Sequence, residues 1–197
     1  MAGSLTLADD TMERMWRAVE KVEQRLYRTV NALEAHGVPY AVIGGNAVAA
    51  WVAQVDEGAV RNTRDVDILI RRADLPACKE AMATIGFWHD VITGIDVFID
   101  GPDGVPSQGV HLLFAGEKVK PTDPVPVAEL AETERGKRFQ VISLPALVRM
   151  KLVANRRKDQ VHIQDMIRIG LIDATWLTKY PPELAERLMP LLADPNG

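Results

Sequence analysis

The chain has 197 residues, of which 47% are hydrophobic and 25% charged, as in an ordinary globular protein of about one domain. The formal net charge of -4 argues against a protein that coats nucleic acid through many phosphate contacts. The single cysteine, Cys78, excludes an intrachain disulfide, and no apolar run approaches the roughly 20 residues that span a bilayer. With no basic segment and apolar core typical of a signal peptide at the N-terminus, the sequence predicts a cytoplasmic protein without a membrane partner.

The predicted elements alternate between helices and strands. Apolar residues at three- and four-residue steps predict one long helix over residues 9–36, which Gly37 and Pro39 end. The shorter elements after it are predicted as strands at 38–43, 66–70, 92–99, 110–115 and 139–142, the last at a sheet edge, and as helices at 46–55, 74–86, 143–155, 160–169 and 181–192.

This order of elements predicts an α/β (α+β) fold, in which helices flank a mixed β-sheet. We expect a single globular domain with three segments. These are an N-terminal helix packed on the core (residues 1–37), the core itself (38–170) and a C-terminal helical tail (171–197).

A glycine pair and a pair of aspartates are the most informative residues of the chain. Gly44 and Gly45 follow an apolar strand and, with Asn46, lead into a helix, where free backbone N–H groups suit a phosphate. Asp65 and Asp67 point to the same face of the next strand, about 6.6 Å apart along it. Because two like charges at that spacing repel by about 2 kcal/mol, we expect a cation between them.

At these residues the chain resembles the nucleotidyltransferase-fold superfamily, and within it the compact bacterial branch related to AbiEii-type toxin–antitoxin and abortive-infection proteins. The resemblance covers roughly residues 38–170. It is carried by Gly44-Gly45, Arg61-x-Thr63-x-Asp65-x-Asp67, Lys151, Arg157-Lys158-Asp159 and Asp165.

The resemblance implies a nucleotidyltransferase-like sheet and the transfer of a nucleoside monophosphate from a nucleoside triphosphate such as ATP to a hydroxyl acceptor. Pyrophosphate leaves, and the glycine turn holds the phosphates. The two aspartates bind Mg2+ or Mn2+, which suit hard oxygen ligands. The acceptor is open between nucleic acid such as tRNA, a partner protein and a small molecule.

The third carboxylate that the resemblance implies is absent from its strand. His111 occupies that position in Gly109–Phe114, and imidazole is a poor Mg2+ ligand. Three functional interpretations are open: the protein binds nucleotide without transfer, His111 is a general base, or Asp96 supplies the carboxylate. The last requires Phe98 to face His111, which would put Asp96 on the same face. A purely structural histidine is the fourth interpretation.

Two charged residues lie on otherwise apolar helix faces. Lys151 continues the stripe of its helix, and Asp165 lies on the apolar face of the next one. Charged groups in such positions need partners. Either the two pair with each other, or Lys151 binds nucleotide phosphates and is oriented by Asp165 or Asp159.

We therefore predict a metal-dependent nucleotidyltransferase with three groups of site residues. The alternative is a catalytically impaired module of the same fold that binds a nucleotide or a partner. A glycosyltransferase with a DxD metal site is a third hypothesis, which the preceding glycine turn and the short chain disfavour. The predicted catalytic residues are Asp65, Asp67, His111 and Lys151, the metal ligands are Asp65, Asp67 and Asp96, and the nucleotide-binding residues are Gly44, Gly45, Asn46, Arg61, Thr63, Lys151 and Asp165.

Overall fold

A mixed β-sheet organises the molecule. The structure is a computed structural model that describes residues 9–196, so residues 1–8 and 197 of the two predicted outer segments lie outside the described residues. The strands are β1 (Ala41–Ile43), β2 (Val66–Ile70), β3 (Phe87–Ile92), β4 (Ile95–Asp100), β5 (Val110–Phe114), β6 (Thr133–Arg135) and β7 (Gln140–Ile142). They form one sheet in the order β3-β4-β5-β2-β1-β7-β6, in which β2–β5 and β1–β7 are parallel pairs.

Helices cover both faces of this sheet, which confirms the predicted fold class. They are α1 (Asp9–Ala35), α2 (Gly44–Val52), α3 (Leu75–Ala83), α4 (Leu144–Ala154), α5 (Arg157–Arg168) and α6 (Pro182–Ala193). Along β2, Ile68 faces the core cluster that contains residues of α1 and α3. Its neighbour Leu69 faces the other cluster, which contains residues of α2, α4 and α5. Because side chains alternate along a strand, Asp67 belongs to the second face.

The long N-terminal helix packs over only part of its length. Leu26, Val30 and Leu33 are buried in the core cluster with α3, as their spacing predicts. Met12 and Trp16 belong to the exposed first turns of the same helix, where Trp16 is 69% exposed. The apolar stripe of this helix is therefore longer than the part of the helix that packs on the core.

The sheet differs from the sequence prediction in two strands and one register. β3 and β6 are additional strands, and β7 lies between β1 and β6, so the predicted edge position of residues 139–142 is wrong. In the β4–β5 pair, His111 lies opposite Val97, and Val110 lies opposite Phe98. The predicted Phe98–His111 pairing is therefore wrong by one residue, which places Asp96 on the face opposite to His111.

Candidate metal centre

Three potential metal ligands converge where β2 and β5 begin. The parallel pairing of these strands sets Asp67 beside His111, and Asp65 lies two residues before Asp67 on the same face. Nδ1 of His111 lies 3.6 Å from Oδ1 of Asp67 and 3.9 Å from Oδ2 of Asp65. One donor atom from each residue lies within 4.8 Å of the other two. About a quarter of each side chain is exposed, so a ligand has access to the cluster.

These distances fit one divalent ion. Two ligand atoms that each lie about 2.1 Å from an ion are at most about 4.2 Å apart. The two printed spacings from Nδ1 of His111, 3.6 and 3.9 Å, are below that limit. Asp65, Asp67 and His111 are therefore the residues that would hold a metal ion here.

The His111 ring has a defined orientation. Nε2 of His111 lies 3.1 Å from the carbonyl oxygen of Pro106. Because a carbonyl oxygen only accepts hydrogen bonds, Nε2 carries a proton, and Nδ1 is the atom that faces the carboxylates. The Asp67 carboxylate raises the pKa of His111, and the Pro106 carbonyl acts in the same direction.

The glycine pair is required by close packing against the aspartate strand. Gly44 has φ +65, and a Cβ at this position would lie 2.6 Å from Cγ of Asp67. A Cβ at Gly45 would lie 2.7 Å from Oγ1 of Thr63. The start of α2 therefore approaches Asp67 and Thr63 as closely as glycine allows.

Two residues predicted to bind nucleotide contact Asp65 in this structure. Thr63 donates a hydrogen bond from Oγ1 to Oδ1 of Asp65, at 3.0 Å. The amide of Asn46 donates to the backbone carbonyl of Asp65, at 2.9 Å. The first contact holds the side chain of Asp65, and the second holds its backbone against α2.

The other predicted acid, Asp96, lies outside the cluster. Its Oδ1 is 2.7 Å from Nε2 of His89 on the neighbouring strand β3. The one-residue register difference turns it away from His111. The structure therefore does not bring Asp96 together with Asp65 and Asp67, as a shared metal site would require.

Lys151 pairs with Asp159, one of the two acids considered as its partner, so the alternative in which Lys151 pairs directly with Asp165 is wrong. Nζ of Lys151 lies 3.1 Å from Oδ1 of Asp159, and both side chains are buried. Asp159 also accepts a 2.6 Å hydrogen bond from Nε of Arg156. Burial lowers the pKa of Lys151, and the Asp159 carboxylate opposes that effect.

Asp165 instead anchors the segment that precedes the aspartates. Its carboxylate, 5% exposed, pairs with the guanidinium of Arg61 through Nε and Nη2, the second contact at 3.1 Å. Arg168 of the same helix pairs with Asp165 as well. The side chain of Arg61 is therefore occupied by α5.

Between these two acids, α5 carries His162. Burial lowers the pKa of His162 to about 4, with the charge of Lys151 as the next cause. His162 is therefore neutral in the folded protein near pH 7.

A cavity of about 340 Å³ opens beside Asp65, Asp67 and His111. Its size and mainly apolar lining are those of a small-molecule site. Nζ of Lys158 reaches to 4.0 Å from Oδ2 of Asp65. The apolar lining includes Leu113, Leu147, Met150 and Val153, and the basic lining consists of Lys120, Lys151, Arg156 and Lys158.

The sheet order and the arrangement of helices define the fold. The described chain has a nucleotidyltransferase-like fold, with an Asp-Asp-His cluster at the ends of neighbouring parallel strands.

Two structures of one protein share this fold. The solution structure of the antibiotic-resistance factor ANT(2'')-Ia matches with a TM-score of 0.54 and 13% identity, over 89% of this chain and 92% of that one. The crystal structure of ANT(2'')-Ia in complex with adenylyl-2''-tobramycin matches with a TM-score of 0.52 and 14% identity, over 90% and 99%. At such identities the similarity establishes the fold alone.

Two comparisons at the level of sequence found no match for this chain. No protein-family model matches the chain, and no curated protein matches it. Within residues 9–196, none of the helices combines the length and apolar character needed to cross a membrane.

Proposed function

We propose that the protein is a metal-dependent nucleotidyltransferase, which moves a nucleoside monophosphate from a nucleoside triphosphate such as ATP to a hydroxyl acceptor. The observation that carries this proposal is the convergence of Asp65, Asp67 and His111 beside a cavity with a basic wall. The fold shared with ANT(2'')-Ia supports it, because one structure of that protein contains an adenylylated antibiotic.

The residues of the site divide into three tasks. Asp65, Asp67 and His111 would hold a divalent ion, which would act as a Lewis acid and offset phosphate charge. Lys158 and Lys151, on the wall next to these ligands, bind phosphate oxygens of the triphosphate. The apolar part of the cavity receives the less polar part of a substrate.

The proposed reaction is a substitution at the α-phosphorus. The acceptor oxygen forms a bond to phosphorus, the bond to the bridging oxygen breaks, and pyrophosphate leaves with that electron pair. The hydroxyl proton passes to a carboxylate of the Asp65–Asp67 pair, whose oxygens line the cavity.

A second candidate function has a specific observation in its favour. His111 stands at the position where the resemblance implies a third carboxylate, which leaves the cluster with one negative charge fewer. A protein with this site that binds a nucleotide or a partner without transfer is the alternative. Measurements of binding and turnover on one preparation separate the two functions.

The test uses the purified chain with Mg2+ or Mn2+ and each NTP labelled at the α-phosphate. We expect label on an acceptor and release of pyrophosphate, with the protein itself, bulk tRNA and tobramycin as the first acceptors. Asp65→Asn/Asp67→Asn abolishes metal-dependent turnover, whereas the matched variant Asp96→Asn leaves it unchanged because Asp96 faces away from the cluster. NTP binding without turnover would overturn transfer and support the binding module.

Narrower features of the function rest on sequence features alone. We propose membership of the AbiEii-type toxin–antitoxin branch, on the motif that includes Asp65 and Asp67, and tRNA or a partner protein as acceptor. A cytoplasmic location is proposed from the single Cys78.

A further inference from the structure

We infer that the site selects first-row transition-metal ions over Mg2+, and that Nδ1 of His111 is the ligand that makes this selection. The inference rests on the proposed function in one respect, since it takes Asp65 and Asp67 as metal ligands. It names the class of ion that the site binds.

The first support is the direction in which the imidazole ring points. The Pro106 carbonyl accepts from Nε2 of His111, so the lone pair of the neutral ring is on Nδ1. Nδ1 is also the atom that faces both carboxylates, at 3.6 and 3.9 Å. A histidine that ligates metal through one nitrogen usually donates its other N–H to a carbonyl or carboxylate. His111 has that arrangement before any ion binds.

The second support is the chemistry of the ligand set. Two carboxylates and one imidazole provide two oxygens and one nitrogen, where three carboxylates would provide only oxygens. Mg2+ prefers oxygen ligands and a near-ideal octahedron, whereas imidazole suits Zn2+, Cu2+, Fe2+ and Ni2+ best, and Mn2+, at the weak end of this series, gives the most stringent comparison with Mg2+. Exchanging a carboxylate for a neutral ring also removes one negative charge, which weakens the attraction for a strongly hydrated ion such as Mg2+.

The surroundings favour this assignment over a general base. A general base must reach the acceptor hydroxyl. In this structure Nδ1 of His111 is directed at Asp65 and Asp67, and Nε2 is bonded to the Pro106 backbone. Nε2 is thus engaged by the backbone, and Nδ1 faces the space between itself and the carboxylates, where an ion would sit.

The first experiment measures metal binding without turnover. The metal-free chain is titrated with Mn2+ by electron paramagnetic resonance, and Mg2+ is then added as a competitor. We expect His111→Asp to lower the ratio of the Mg2+ and Mn2+ dissociation constants by on the order of tenfold or more, the scale on which changes around a metal alter its affinity. The matched control His36→Asp changes a histidine outside the cluster and leaves the ratio unchanged.

The second experiment takes its main readout from the natural chain. Pulsed electron paramagnetic resonance on the Mn2+-loaded natural chain detects the coupling of a coordinated imidazole nitrogen. We expect this coupling in the natural chain and in His36→Asp, and its loss in His111→Asp and His111→Ala. Because the natural chain supplies the main readout, a folding defect in one variant does not decide the outcome.

The outcomes separate this inference from the proposed function. Nitrogen coupling together with the lowered ratio supports selection by His111. Mn2+ binding that depends on Asp65 and Asp67 but shows no nitrogen coupling overturns the inference and leaves the proposed function standing. Mn2+ binding that survives Asp65→Asn/Asp67→Asn overturns both, since the cluster is then not the metal site.

Discussion

The carboxylates of the motif fall into two groups with opposite surroundings. Asp65 and Asp67 lie close together at the cavity, a quarter exposed, with His111 and, at 4.0 Å, Lys158 as their nearest ionisable partners. Asp159 and Asp165 on α5 are buried, and each pairs with two basic side chains. Both groups belong to the same sequence pattern, so the pattern alone does not distinguish their tasks.

The difference shows which acids have charge left for a ligand. A buried acid whose charge is matched by basic partners stabilises the fold and positions other elements, and removing Asp159 in particular leaves buried Lys151 without its partner. Two carboxylates that repel each other at an accessible surface are stabilised when a cation binds between them. We therefore assign ligand binding to the first group and positioning to the second.

The largest effect is expected from a change in the first group. Asp67→Asn lowers turnover by roughly a thousandfold or more, since a metal supplies several kcal/mol of transition-state stabilisation. The free energy of unfolding changes by less than about 1 kcal/mol, because the lost His111 contact is offset by relief of repulsion from Asp65. Turnover assays and urea unfolding of the metal-free protein check the two parts. A loss of stability with unchanged turnover would place Asp67 in the positioning group.

The opposite result is expected from the second group. Asp159→Leu destabilises the protein by about 3 kcal/mol or more, since buried Lys151 is left without its partner. The double variant Lys151→Met/Asp159→Leu recovers much of this loss, because the buried charge is then removed too. Urea unfolding curves of the three proteins are the measurement. Equal stability of Asp159→Leu and the natural chain would contradict the assignment.

Each group of carboxylates has a histidine near it, and the two histidines affect stability in opposite directions as the pH changes. The pKa of His162 is lowered to about 4 in the folded protein. As the pH falls below about 6.5, this histidine therefore takes up a proton in the unfolded chain before it does so in the folded one. This removes about 3 kcal/mol of stability between pH 7 and pH 4, and His162→Leu flattens that slope. The pKa of His111 is raised, so in the metal-free protein its contribution is complete below about 6.5 and is lost as the pH rises. Unfolding series over pH for His162→Leu and His111→Asn separate the two slopes.

The smallest effect tests how the second group supports the first. Arg61→Ala and Arg168→Ala each remove one partner of Asp165 and each cost about 1 kcal/mol, because both arginines are partly exposed. Only Arg61→Ala also weakens Mn2+ binding, since Arg61 belongs to the segment that leads to Asp65. Equal Mn2+ affinities in the two variants would show that this contact does not position the site.

Much of the candidate site follows from residue spacing, whereas the strand register and the ion-pair partners around it do not. The strand alternation that aims Asp65 and Asp67 to one face needs only local geometry. The missed strand β3 is joined to β4 by Thr93 and Gly94, both with positive φ, and threonine rarely adopts that conformation. The sequence therefore gives no turn signal between β3 and β4 and predicts a single strand over 92–99.

The register error and the misassigned partner of Lys151 also have physical causes. The link between β4 and β5 contains a 3-10 turn at Pro106–Gln108, which makes the connection asymmetric and shifts the pairing by one residue. Lys151 meets Asp159 because Asn155, with φ 47, ends α4 and turns the chain into α5. Neither the asymmetry nor the turn angle follows from an apolar stripe.

The absence of a side chain at Gly44 has an evolutionary consequence. A side chain there would clash with the Asp67 carboxylate, in addition to the strain of φ +65, so position 67 can change alone whereas position 44 can change only where the Asp67 side chain is gone. Among descendants of this chain, we expect substitutions at position 44 to occur only in lineages that have already lost the acid at position 67. Covariation between these two columns of a future alignment would then record which descendants gave up the metal.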